Sequence, residues 1–126
     1  MAQLVIAIDF DGTCVTHEYP YMGSDIGAVP VLKELADAGY RLVLNTMRSG
    51  KTEKEAIKWF KDNDIPLFGV NCNPEQKSWT KSTKVFADLY IDDSALGVPL
   101  TSSPTSTRPY VDWIRVREWL VAEGYL

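Results

Sequence analysis

The sequence predicts an α/β fold, a Rossmann-like three-layer sandwich with a mainly parallel central sheet, in one domain spanning residues 1–126. Three observations carry this. Short, mostly apolar runs at 4–8, 41–44, 67–70 and 89–91 alternate with segments whose apolar residues recur at helical spacing, the pattern of βαβ crossovers. The runs are nearly continuous rather than alternating, as in strands buried on both faces. Acidic or hydroxyl residues follow three of them closely, and in a parallel sheet those strand ends lie along one edge, where ligands bind.

In chain order, Leu4 to Ile8 is the first strand, and Asp9-Phe10-Asp11-Gly12-Thr13 follows at its C-terminal end. Gly12 permits a sharp turn there, and Thr13 offers a hydroxyl and a backbone N–H to an anion. Residues 14–27 read as a loop overhanging that end, with His17, Tyr19 and Tyr21 set either to contact a substrate or to pack the loop down. Val29 to Ala38 has helical spacing, with Pro30 near its start and Gly39 just past its end. Residues 41–44 form the second strand and run into Asn45-Thr46-Met47-Arg48-Ser49-Gly50-Lys51, a stretch dense in phosphate-binding groups. Thr52-Glu53-Lys54-Glu55 has capping-box form and opens a second helix that ends at Asn63-Asp64. Leu67 to Val70 is the third strand. Pro74 to Thr80 suggests a short helix with Trp79 inward. Leu89 to Ile91 is the fourth strand, ending in Asp92-Asp93. A Ser/Thr/Pro-rich loop covers 102–109, and Asp112 caps a last helix with Trp113, Val116 and Leu120 on one face.

Composition narrows the chemistry. At 126 residues the chain has room for one core, and 45% hydrophobic with 24% charged residues is ordinary for a globular domain. A net charge of −4 argues against bulk electrostatic binding to nucleic acid or anionic membrane. No apolar run reaches the ~20 residues of a membrane span, and no leader-like segment opens the chain, so a cytoplasmic, membrane-free protein is expected. Two cysteines, Cys14 and Cys72, make no disulfide framework and read as structural thiols. A single histidine, His17, removes most histidine-based triads and zinc sites. Carboxylates, hydroxyls and lysines must carry any chemistry.

The strand ends bring Asp9, Asp11, Thr46, Asp92 and Asp93 together. Two carboxylates about 4 Å apart repel by roughly 4 kcal/mol at an effective dielectric of 20, which calls for a cation or a shared proton. Oxygen-only ligands favour Mg²⁺. Lys77, Lys81 and Lys84 all precede the last acidic pair and offer a second neutralising group.

The Asp-Phe-Asp-Gly-Thr motif, a strand leading to Thr46, a lysine, and a strand ending in Asp92-Asp93 resemble, in order, the four motifs of the haloacid dehalogenase-like hydrolase superfamily. The likeness covers about residues 4 to 97, and the stretch from Ser82 to Asp93 resembles small bacterial and phage-type members, which favours Lys84 as the site lysine. The resemblance implies Asp9 as nucleophile, Asp11 as general acid and base, and Thr46 and Lys84 as phosphoryl-binding groups. It implies Mg²⁺ on the Asp9 carboxylate, the Asp11 backbone carbonyl and Asp92, with Asp93 in support. The implied activity is Mg²⁺-dependent phosphomonoester hydrolysis through an aspartyl-phosphate. An aspartate at position 11 favours phosphate hydrolysis over dehalogenation. Arg48 is read either as a clamp on a second substrate group or as a solvated loop cation.

About thirty residues separate Thr13 from Thr46, too few for the cap domain that many such enzymes insert. An open site suits a small phosphate ester or a nucleic-acid end. A non-catalytic, receiver-like phosphoacceptor domain is the alternative. It places its acidic pair first, a lone acceptor aspartate in mid-chain and its lysine last, whereas here the lysine precedes Asp92-Asp93. Oligomeric state does not follow from the sequence.

Overall fold

The computed structural model describes residues 3–126. Strands β1 (Val5–Ile8), β2 (Arg41–Leu44), β3 (Gly69–Val70) and β4 (Leu89–Ile91) form one parallel sheet in the order β3-β2-β1-β4. Ile8 aligns with both Leu44 and Ile91, so the residues following β1, β2 and β4 leave the sheet side by side. The α/β fold class and the parallel sheet follow the sequence reading.

Period-2 alternation gives the sheet two faces. Ile6, Ile8, Leu42 and Leu44 point into the main core. Three helices cover that face: α1 (Ala28–Asp37) through Val31, Leu32 and Leu35, α2 (Gly50–Asp62) through Ala56 and Phe60, and α3 (Trp113–Ala122) through Val116 and Leu120. Val5, Ala7 and Val43 point the other way, into a smaller core with Phe68, Val85 and Ala87. The third layer is thus the segment between β3 and β4, whose regular structure is one 3-10 turn, Gln76–Ser78. Tyr90 aligns with Ala7 and ties this layer down: its hydroxyl donates to Val85 O at 2.6 Å and accepts from Ala87 N at 3.1 Å.

Two local expectations change. The helix expected to open at Thr52 starts two residues earlier, and Thr52 Oγ1 donates back to Ser49 O at 2.9 Å, so no capping box forms. Thr52 lies inside the first turn, past the cap position. In the 74–80 stretch Trp79 faces out and is 64% exposed, while Gln76 turns inward. Gln76 Nε2 donates to Ser82 O and Lys84 O, and its Oε1 accepts from Phe86 N at 2.7 Å. An irregular layer leaves backbone groups unpaired, and a buried amide side chain satisfies them where an apolar ring cannot.

Asp112 caps α3 as expected, accepting from Ile114 N and Arg115 N at 3.2 Å each. A short antiparallel pair, β5 (Leu100–Thr101) with β6 (Tyr110–Val111), brackets the Ser/Thr/Pro-rich loop. Among the described residues no helix is long and apolar enough to cross a membrane.

Candidate active site

Hydrogen bonding continues past the end of β1, since Asp9 N donates to Ile91 O at 3.0 Å and Asn45 N to Ile8 O at 2.8 Å. The chain then turns at Gly12, where φ is 81°. A Cβ at that position would collide with the Asp93 carboxylate, so the close approach of the two acidic motifs requires glycine. Thr13 is fully buried and clasps both motifs, its Oγ1 donating to Asp9 Oδ2 at 2.8 Å and accepting from Asp93 N at 3.0 Å. Trp113 Nε1 donates to Thr13 O at 2.7 Å and Val111 N to Gly12 O at 2.9 Å, so β6 and the start of α3 brace the turn.

Carboxylate oxygens of Asp9, Asp92 and Asp93 lie within 4.8 Å of one another. Burial pushes the Asp9 carboxyl up to about 8; the Thr13 hydroxyl works against this, while Asp93 and Asp92 add to it. The all-oxygen donor set suits a hard divalent cation, and the triad can hold one. Asp92 Oδ1 is oriented by Ser94 N at 2.8 Å. Asp93 Oδ2 meets Arg108 at 3.4 Å, a contact the sequence reading missed because Arg108 lies in the 102–109 loop.

Asp11 stands outside the triad. Arg48 Nε and Nη2 donate to its two carboxylate oxygens at 2.8 and 2.7 Å. Arg48 is 2% exposed, and Nη2 also donates to Tyr21 O at 2.8 Å, while the guanidinium lies over the rings of Phe10 and Tyr19. The Asp11 hydrogen bonds hold the Arg48 pKa above its ordinary value. Both readings of Arg48, substrate clamp and solvated cation, are corrected: a planar fork that matches a carboxylate bidentately is turned inward to orient Asp11.

Thr46 sits beside Asp9 on the neighbouring strand end. Its amide donates to Asn71 Oδ1 and its Oγ1 accepts from Arg48 N at 3.1 Å, which leaves the hydroxyl proton to donate. Asn71 also donates to Glu53 at 3.2 Å and has a left-handed φ of 52°, so it links the ends of β2 and β3 to α2. Sequence reading missed Asn71 as a site-building residue; an Asn directly after a strand, tolerant of positive φ, was the available signal.

Lys84 is exposed, with its ammonium 5.8 Å from the Tyr90 ring centroid, and among the described residues it forms no ion pair. Arg108 is the cation that contacts the acidic cluster in this structure. Lys77 and Lys81 line a cleft that also includes Asn71. In the 14–27 loop, His17 is half-buried with an unpartnered Nδ1, Tyr19 packs on Arg48, and Tyr21 is largely exposed. The cysteines are both free: Cys14 is buried, its thiol pKa pushed up by burial, and its Sγ donates to Asp9 O, whereas Cys72 is exposed.

No protein-family model matches the chain, and no curated protein matches it. Among solved structures, it is similar to a conserved protein coded by a locus of Bacteroides thetaiotaomicron. The two are 34% identical over 98% of this chain and 93% of that one, with a TM-score of 0.78.

Proposed function

The chain belongs to the same family as the conserved Bacteroides thetaiotaomicron protein, and from its site we propose that it is a phosphomonoester hydrolase of haloacid dehalogenase-like type, dependent on Mg²⁺ and working through an aspartyl-phosphate. One observation carries this: Asp9 stands at the end of the central strand within 4.8 Å of Asp92 and Asp93, with Asp11 two residues on. Two free cysteines accord with a reducing cytoplasm.

Asp9, Asp92 and Asp93, with the Asp11 backbone carbonyl, are the groups that would hold the cation. Bound there, Mg²⁺ supplies charge neutralisation between the carboxylates and the anionic phosphoryl group. The Asp9 oxygen not held by Thr13 attacks phosphorus as the ester P–O bond breaks. The leaving oxygen takes a proton from Asp11, which must first free an oxygen from Arg48. Water then attacks the acyl phosphate, Asp11 accepts its proton, and Asp9 and inorganic phosphate are released. Thr46 holds the phosphoryl oxygens, joined by Lys84 once its ammonium leaves the Tyr90 ring. The substrate is a small phosphate ester or a phosphorylated nucleic-acid end.

The test is turnover of an aryl phosphate by the wild type and Asp9→Asn, each with Mg²⁺ and with chelator. Activity is expected only for the wild type with Mg²⁺, with loss of about a thousandfold or more in Asp9→Asn. A stoichiometric, long-lived phosphoprotein from acetyl phosphate, with no turnover, would replace catalysis by the phosphoacceptor reading.

A further inference from the structure

We propose that the third layer, from Gln76 to Ala87 together with Tyr90, is a binding track for single-stranded nucleic acid. Delivery of a phosphorylated end from this track to Asp9 rests on the phosphatase reading; binding of the strand does not.

Residues 76–87 carry Lys77, Lys81 and Lys84 and no acid, in a protein of net charge −4. All three lysines are exposed and, among the described residues, none forms an ion pair. Beside them stand rings left in water: Trp79 is 64% exposed, Phe86 42% and Tyr90 39%. Trp79 and Phe86 meet edge to face at 5.7 Å, and the Lys84 ammonium stands over Tyr90. The layer buries an amide, Gln76, and exposes its aromatics, the reverse of what burial of apolar area favours.

Placement joins this surface to the candidate site. A cleft of about 400 Å³ is lined by Asn71, Lys77 and Lys81, and Asn71 holds the amide of Thr46. A neighbouring cleft of about 360 Å³ is lined by Trp79, Lys84, Phe86 and Tyr90. Ammonium groups for phosphates, interleaved with rings for bases, are the two elements of sequence-tolerant single-strand recognition. A second copy of the chain is disfavoured as the occupant, because a two-fold contact sets like-charged lysines against each other. A duplex is disfavoured because the segment is neither a helix nor a ribbon that enters the major groove.

The experiment is fluorescence anisotropy of the full chain, in chelator, with labelled oligo(dT) and oligo(rU) bearing a terminal phosphate, against a duplex of equal length. Single strands are expected to bind more tightly than the duplex, with log K falling against log salt at a slope of about −2 for three lysine contacts. Trp79→Ala is expected to weaken binding about tenfold, Trp79→Phe to retain most of it, and aryl phosphate turnover to be unchanged in both. Equal affinity for duplex, or affinity untouched by Trp79→Ala, overturns the track. So does a dimer in sedimentation that Trp79→Ala converts to monomer, since a second copy would then be the occupant. Strand binding in chelator, with no phosphate released from either the strand or an aryl phosphate once Mg²⁺ is supplied, removes the phosphatase reading and leaves the track; aryl phosphate turnover in Mg²⁺ without strand binding does the opposite.

Discussion

Two arginines meet two aspartates at the sheet edge, and the pairs are built differently. Arg48 and Asp11 have side chains 1% and 11% exposed and share two short hydrogen bonds, while Tyr21 O takes a third donor. Arg108 is 48% exposed and touches Asp93 once, at 3.4 Å. Water decides what each contact is worth, because the same charges interact weakly where solvent screens them and strongly where it is excluded. The first pair is therefore framework, joining the β1 turn, the 14–27 loop and the start of α2. The second is a counter-charge at the rim of the acidic triad that a cation or an anionic ligand can displace.

Removing the buried arginine gives the largest expected effect. Arg48→Ala leaves the Asp11 carboxylate largely buried without a partner, and urea unfolding should register a loss of about 3–5 kcal/mol. Arg48→Lys should restore only part, because one ammonium cannot serve both carboxylate oxygens and the Tyr21 carbonyl. Arg48→Met combined with Asp11→Leu should recover most of the stability if the cost is the orphaned charge. A loss below about 1 kcal/mol in Arg48→Ala would put this pair in the same class as an exposed one and end the distinction.

The triad supplies the next effect. Held in chelator, native Asp9 has its carboxyl raised to about 8, against an ordinary value of 3.8. Between those values the native protein keeps a proton that the unfolded chain has released. The Asp9 contribution to stability is thus fully present below about pH 4 and is lost as pH rises through 8. The melting temperature of the chelated protein should fall by several degrees from pH 5 to 8. Asp9→Asn should flatten that slope, and Mg²⁺ should raise the melting temperature of the wild type at pH 8. A flat profile for the chelated wild type would mean that the triad is already neutralised by the protein, with Arg108 doing more than its geometry suggests.

What the sequence made legible divides along similar lines. The four strands, the three helices and the convergence of Asp9, Asp92 and Asp93 were readable because they rest on local period and on strand ends that a parallel sheet must bring together. Asp112 as a cap was readable for the same local reason. The direction in which Arg48 points was not, since nothing within the 45–51 run shows that its partner lies thirty-seven residues earlier in the chain. Trp79 misled because apolar character predicts burial only where backbone groups are otherwise satisfied, and Gln76 was needed for that task. Arg108 was hidden in a loop whose composition suggests only irregularity, and its approach to Asp93 is set by the β5–β6 pairing that bounds the loop.

That loop supplies the smallest predicted effect and the sharpest check on the comparison. Arg108→Ala should change folding stability by no more than about 0.5 kcal/mol, because the guanidinium is half in water and Asp93 keeps its backbone amide bond to Thr13. Its consequence should appear in ligand binding instead. Without Arg108 the triad loses the one cation that contacts it among the described residues, so the apparent affinity for Mg²⁺ should rise a few-fold, and that gain should shrink as salt is added. The measurement is Mg²⁺ titration followed by melting temperature at low and high ionic strength, with Arg108→Lys as the control that retains the charge. Tighter Mg²⁺ binding in Arg108→Ala but not in Arg108→Lys would assign the contact to charge alone. A large loss of stability in Arg108→Ala would instead make it framework, as Arg48 is, and the two pairs would differ in exposure without differing in role.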